Sequence, residues 1–316
     1  MSGSYWLGVD LGGTKILSAL FDENLRLLAR SKQPTGAEGG PTAVLDRISQ
    51  GVEAVIQESG IDRAAIRGMG LGIPGQIVIG TSTVKFAPNL DWRDVDVAKH
   101  LPANWTWPVF VENDVRMGTY GEYAFGAAKG AKHVLGVFIG TGVGGGLIVN
   151  GELHLGFNGN GGEFGNLVVH WRRGQTVEAI AGRKFMMQRA SEILGDSPKR
   201  VRKEWKNVDL AGVRSSQLAE FYQRDDPIAV QLVDDSARAL GAAIGGIVNF
   251  LSPEIIVIGG GVAGALGESY IERIWEIARR YTLPGAAENV RCVAASLGDD
   301  SGVVGCAAYA KSRSAA

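Results

Sequence analysis

Gly8-Val9-Asp10-Leu11-Gly12-Gly13-Thr14-Lys15 and, far downstream, Gly140-Thr141-Gly142-Val143-Gly144-Gly145-Gly146 are two glycine runs of one kind in a single chain. Each follows a short apolar run that reads as a strand, residues 5–9 and 134–139, and each is followed by another, 16–21 and 147–150. Glycine allows a tight turn and lets backbone N–H groups approach an anion closely. Two such hairpins predict a polyphosphate gripped from both sides, the plan of a two-lobed nucleotide phosphotransferase. One alternative has to be weighed. Gly140-x-Gly142-x-x-Gly145 also fits the dinucleotide fingerprint, with Glu163 near the acidic position. That fingerprint needs a helix after the glycines. Here Leu147-Ile148-Val149 runs into Asn150-Gly151, a two-residue hairpin signal, so strand–turn–strand is expected.

Composition narrows the classes. The 316 residues allow about two domains. With 45% hydrophobic and 21% charged residues there is material for real cores. Lys plus Arg number 32 against 33 Asp plus Glu, so no global field draws nucleic acid or anionic lipid. Two cysteines, Cys292 and Cys306, make neither a disulfide framework nor a metal cluster and suit a reducing compartment. No signal-peptide pattern opens the chain and no apolar run is long enough to span a membrane, so a cytoplasmic protein is expected.

The order of elements follows from periodicity. Residues 5–33 read as three strands in an antiparallel meander, and 42–59 as a helix with apolar residues on one face. Residues 68–73 form a buried strand stopped by Pro74-Gly75, and Val109-Phe110-Val111 another that delivers Glu112-Asn113-Asp114 ahead of a helix over 115–123. The second half reads as helical over 176–194. Asp226 then caps a long core helix with Pro227 in its first turn, and 255–258 is a buried strand entering Gly259-Gly260-Gly261. A strand near 290–294 and a helix over 302–310 follow. The basic run in 198–203 reads as a solvated surface. Each half opens with a glycine hairpin, a hint of duplication.

Phosphoryl transfer to an alcohol needs a phosphate cradle, a divalent cation, a positioned base and an acceptor pocket. The two loops supply the cradle through Gly12, Gly13, Thr14, Gly140, Thr141, Gly142 and Gly144. Asp10, an acid inside a phosphate loop, makes sense with Mg²⁺, held directly or through water. Lys15 is a cation for phosphate or else an exposed surface lysine. Asp114 is the candidate base or, equally on local sequence, the cap of the helix behind it. Gly259, Gly260 and Gly261 read as a nucleotide-side turn or a turn with no ligand. Glu163, Asn166 and Glu178 add carboxylates and amides of the kind that chelate vicinal hydroxyls.

In this order the motifs resemble the ROK family (repressor, open reading frame, kinase), above all its glucokinase-like sugar kinases. The resemblance runs through Gly8 to Lys15, Ile73-Pro74-Gly75, Ala87-Pro88-Asn89-Leu90, Val111-Glu112-Asn113-Asp114 with Gly121-Glu122, and Ile139 to Gly146. It continues in Gly162-Glu163-Phe164-Gly165, Ser252-Pro253-Glu254 through Gly261, and Gly298-Asp299-Asp300 with Gly305-Cys306-Ala307-Ala308. It implies an α/β, actin-like ATPase-domain (ribonuclease H-like) fold of two lobes, with the ligand cleft between them. Residues 1–114 would form the N-terminal lobe, 115–301 the C-terminal lobe, and a helix at about 302–316 would pack back on the first. The resemblance assigns Asp114 as catalytic base and places sugar hydroxyls on Asn113, Asp114, Glu163 and Glu178, with Asn89 nearby; Asn166, where the family pattern is broken, is expected to hydrogen-bond a sugar hydroxyl as well. ATP and a sugar, glucose first, are the implied partners, and a homodimer or homotetramer the implied assembly.

Two departures stand out. Relatives carry a histidine after Glu-x-Gly and then a cysteine cluster for structural zinc; here Asn166 takes that place and residues 167–177 contain no cysteine. A single His170 makes no zinc site, so zinc is not expected. Some zinc-less relatives use polyphosphate, so ATP is the first donor to test and polyphosphate the second. The family's repressors carry a winged helix before the first loop. Only seven residues precede Gly8 here, so neither repressor activity nor a nucleic-acid partner is expected. Acceptors such as fructose or an N-acetylhexosamine, or a non-catalytic sugar sensor, are the competing readings.

Overall fold

A computed structural model of the chain describes residues 3–196, 205 and 207–314; the basic run over 198–203 lies outside the described residues. Residue contacts group 1–132, 146–162 and 299–316 into one compact unit, and 133–145 with 163–298 into a second.

The first unit is built on a five-stranded sheet. Its strands are β1 (Tyr5–Leu11), β2 (Lys15–Phe21), β3 (Leu27–Pro34), β4 (Ile66–Ile73) and a later strand, Val109–Asn113, in the order β3-β2-β1-β4-Val109–Asn113. The first three form the meander that alternation predicts, with β1 and β2 antiparallel; β1, β4 and Val109–Asn113 run parallel. Between β4 and that last strand lies a small antiparallel sheet of β5 (Gln76–Ile77), β6 (Thr83–Ala87) and β7 (Trp92–Asp96), which has no clear signal in the sequence. The strand Val109–Asn113 is therefore β8.

Both faces of the large sheet are covered. Helix α1 (Gly40–Ser59) buries Val44, Leu45, Ile48, Val52 and Val55 against Leu7, Val9, Leu11, Ile16 and Leu20. The C-terminal helix (Ser301–Ser314) lays Val303, Ala307 and Ala310 against Trp6, Leu17, Ala19 and Phe21 on the other face. That is the period-two alternation of a strand read twice, once for each face. The C-terminal helix comes so close that a Cβ at Gly70 of β4 would lie 2.8 Å from the Cα of Cys306. Helix α2 (Asp114–Ala124), which the sequence reading assigned to the second lobe, packs on this helix and belongs to the first unit.

The remaining strands are β9 (Val134–Ile139), β10 (Val143–Val149), β11 (Glu152–Leu153), β12 (Val168–His170), β13 (Gln175–Thr176), β14 (Ile255–Gly259) and β15 (Arg291–Ala294). Five of these form a sheet ordered β11-β10-β9-β14-β15, with β14 parallel to both β9 and β15. The division between the units falls inside β10, so its end and β11 count with the first unit. Asn150 and Gly151, at φ 55° and 82°, close the hairpin between β10 and β11, as the Asn-Gly pair predicts.

The expected helix over 176–194 is two helices, α3 (Val177–Ala181) and α4 (Arg183–Asp196), broken at Gly182 in extended conformation. Next come α5 (Ser215–Gln223) and the long α6 (Pro227–Leu251), whose cap is Asp226: its Oδ1 accepts the N–H groups of Ile228 and Ala229, each at 3.0 Å. Gly259-Gly260-Gly261 is not a free turn. Strand β14 passes at Gly260 (φ 88°) into α7 (Gly260–Leu266), followed by α8 (Glu268–Arg279). Glycine's low helix propensity hides this helix from a sequence reading.

Candidate active site

The first unit gathers several of its candidate residues at one end of its sheet. Registers align Asp10 of β1 with Gly72 of β4, and Gly72 with Glu112 of β8. The missing side chain at Gly72 leaves room there: a Cβ would lie 3.3 Å from the Cα of Asp114. Asp10 and Asp114 thus share the carboxyl ends of parallel strands, where open α/β sheets bind ligands. Burial, then the charge of Asp114, pushes the Asp10 carboxyl up to about 7, and Lys15 opposes the rise. Such a carboxylate pair is a place for a cation or a proton. Among the described residues no cluster of three or more His, Cys, Asp or Glu side chains is arranged to hold a metal ion.

The helix cap falls to the neighbour of the candidate base. Asn113 Oδ1 accepts from Val115 N at 3.0 Å and Arg116 N at 3.1 Å, while its Nδ2 donates to the Gly75 carbonyl at 3.1 Å. Such a cap is worth about 1 kcal/mol. Asp114 stands one residue later, in the first turn of α2, and its Oδ1 accepts from Val115 N at 2.9 Å. Behind them, buried Glu112 pairs with buried Arg116 at 2.8 Å. Removing one partner of such a pair costs about 3–5 kcal/mol, because the other charge is left uncompensated.

The first glycine turn is held from outside. Gly12 N donates to Lys15 O at 2.9 Å, and the buried Thr35 donates its hydroxyl to Gly12 O at 2.7 Å and its amide to Thr14 O at 3.0 Å. Gly13 and Thr14 are exposed. None of Gly12, Gly13, Gly140, Gly142 or Gly144 adopts positive φ. A Cβ at Gly13 or Gly140 would meet nothing within 4 Å, so these two glycines leave an open backbone surface rather than answer a steric need inside the protein. Lys15 forms an ion pair with Asp299, which holds the Asp299 carboxyl below the usual range; Arg30 pairs with Asp300 at 2.9 Å.

The second unit arranges its own group. In the turn between β9 and β10, Gly140 N donates to Gly142 O at 2.9 Å, and the exposed Thr141 accepts Arg183 Nη2 on its hydroxyl at 3.0 Å. Lys184 N and Arg183 N donate to Thr141 O and Gly140 O at 3.0 and 3.1 Å. Glu178 Oε2 accepts the Val143 amide at 2.8 Å, so this expected sugar ligand also fixes the exit of the second glycine turn. Glu163 is partly buried, and Asn166, exposed, donates Nδ2 to Glu163 Oε2 at 3.3 Å. Gly144 is partly buried on β10. Gly260 and Gly261 are exposed at the start of α7, and Gly259 is buried at the end of β14. Asn89 is exposed between β6 and β7. Thr35 and Arg183 have no sequence signature, because what marks them is a partner 23 or 42 residues away.

The model of the ROK family matches residues 6–313. A glucokinase of Halalkalibacterium halodurans is 32% identical over 96% of this chain and 94% of its own. The structure of a ROK family glucokinase from Streptomyces griseus in complex with glucose and AMPPNP superposes with a TM-score of 0.81 at 31% identity, covering 98% of this chain and all of that one. A ROK hexokinase from Thermus thermophilus gives a TM-score of 0.80 at 30% identity over 98% of each chain. The fold is the α/β, two-lobed actin-like ATPase-domain fold of these enzymes. Motifs, fold and relatives agree from the first glycine turn to the C-terminal helix: this chain belongs to the ROK family, as one of its sugar kinases.

Proposed function

We propose that this sugar kinase transfers the γ-phosphoryl group of ATP to a hydroxyl of a hexose, glucose first, with Asp114 as the base. The observation that carries the reading is the division of labour at the head of α2. Asn113 satisfies the helix N-terminus, so Asp114 is not required as its cap. A carboxylate in that position can orient the attacking hydroxyl and accept its proton late in the transfer, which needs no raised pKa. Asn113, anchored at both ends of its amide, fixes the backbone that aims Asp114. Asn89, Glu163, Asn166 and Glu178 are the further hydroxyl ligands of this reading.

The open backbone at Gly13 and Gly140, with the neighbouring Gly12, Gly142 and Gly144 and with Thr14, Lys15 and Thr141, serves the phosphates, and the glycines at 259–261 serve the nucleotide. Lys15 is paired with Asp299, so a phosphate would compete with that carboxylate for the ammonium. The donor set suits magnesium, which is ordinarily held by one or two carboxylates together with substrate phosphates and water. Asp10, whose charge burial and Asp114 disfavour, would hold the ion. When bound, the ion would neutralise charge developing on the transferring group.

Asn166 favours one variation. It is shorter than an imidazole and already bonded to Glu163, so an acceptor other than glucose, such as fructose or an N-acetylhexosamine, is the second reading. The test is ATP- and polyphosphate-dependent phosphorylation across hexoses and amino sugars with Mg²⁺, run beside Asp114→Asn. Turnover of one sugar, with kcat falling about 10²- to 10⁴-fold in Asp114→Asn, supports the reading. Sugar binding without turnover on any donor overturns it in favour of a sensor.

A further inference from the structure

Arg116 is a long cation buried to 1% exposure, and the reaction as read above assigns it no task. Its guanidinium acts as a fork. Nη1 donates to Glu112 Oε1 at 2.8 Å, and Nη2 donates to the Gly159 carbonyl at 2.6 Å. Glu112 Oε1 in turn accepts the Asn113 amide at 2.7 Å. One chain of hydrogen bonds therefore joins the residue before Asp114 to the 156–162 loop, whose Gly159 lies 43 residues after Arg116. That loop runs directly into Glu163.

The loop depends on being held. Gly156, Gly159 and Gly162 all lie at positive φ, so its backbone has an unusually wide choice of conformations. Phe157, Asn158 and Asn160 are exposed, and Gly159 between them is buried. The anchor falls on the one residue of that tip that is inside the protein.

We propose that Arg116 is a positioning residue of the acceptor site: by joining Glu112 to the Gly159 carbonyl, it locks the 156–162 loop to the turn that carries Asp114 and so sets affinity for the sugar. The inference rests on the kinase reading above. Arginine is required because only its planar fork reaches a carboxylate and a carbonyl at once; a lysine ammonium is a point donor on a flexible stem. The link is between groups of the first unit alone, so its loss falls on the acceptor and leaves the nucleotide contacts of the glycine turns in place.

The test uses Arg116→Lys and the double variant Glu112→Gln/Arg116→Met, which leaves no buried charge alone. Steady-state kinetics in sugar and ATP are measured for both, with amide hydrogen exchange over 156–162. Each variant is expected to raise the sugar KM about tenfold or more, the scale of one lost charge-assisted hydrogen bond, with the ATP KM changed less than about twofold. Exchange over 156–162 is expected to rise in both. An unchanged sugar KM in the two folded variants overturns the proposal, as does a proportional rise of both KM values. A wild type that turns over no sugar defeats the kinase reading itself, a different outcome from an active wild type with indifferent variants.

Discussion

Gly302, in the first turn of the C-terminal helix, lies against the carboxyl group of Asp10: a Cβ there would come within 2.7 Å of Asp10 Cγ and Oδ2. The neighbour that must give way is a partly buried carboxyl at the end of β1, with little space to retreat. Gly302→Ala is expected to destabilise the protein by about 1–3 kcal/mol and to lower kcat by displacing Asp10. Thermal denaturation and initial rates together check it; a normal melting temperature with normal kcat would show that the carboxyl moves freely.

The same carboxyl sets a pH dependence. Burial and the charge of Asp114 raise its folded pKa to about 7, above the 3.8 of an ordinary aspartate, so the folded state binds the extra proton between those values. Stability contributed by the protonated form is present below about pH 4 and lost as pH rises towards 7. In EDTA and without nucleotide, Asp10→Asn is expected to be more stable than the wild type at pH 8, by on the order of a few kcal/mol, and to lose that advantage towards pH 4. Urea melts at both pH values decide it; equal curves at pH 8 refute it.

Glu178 has two consequences to separate. Its Oε2 accepts the Val143 amide at the exit of the second glycine turn. Glu178→Gln keeps an acceptor there, whereas Glu178→Ala removes it. The alanine variant is expected to raise the ATP KM about tenfold beyond the glutamine variant, in line with a lost hydrogen bond to a charged group. If the two variants share one ATP KM, the carboxylate does not hold the turn.

Both thiols are expected to be unreactive in the folded protein. Cys306 is buried, donates Sγ–H to the Val9 carbonyl at 3.1 Å and is pushed well up by burial; Cys292 is pushed up to about 12, also by burial. A thiol reagent at pH 8 is expected to count no reactive cysteine in the native chain and two in denaturant, since only the thiolate reacts. Rapid labelling of either native thiol would contradict this.

The legible parts of the fold were those written in local periodicity. The meander over β1–β3, the face of α1, the cap at Asp226 and the Asn150-Gly151 hairpin all depend on residues close in sequence. The illegible parts depend on distance. The break at Gly182 separates two helices whose apolar pattern runs straight on, and α7 hides behind three glycines. In the proposed site, Asp10, Asp114 and the two turns are candidates that their motifs name. Thr35, Arg183 and Arg116 could not, because each is defined by a carbonyl or hydroxyl elsewhere in the chain. Asn113 shows the intermediate case: its residue type allows both a sugar ligand and a cap, and only the geometry reveals the cap.

The C-terminal helix supplies one whole face of the core built on β1 and β2. During synthesis the first strands leave the ribosome with that face bare, and they wait for almost the entire chain before the helix that covers it exists. The unit begun first is thus finished last. Until residues 301–314 have been made, Trp6, Leu17 and Phe21 have no helix to cover them.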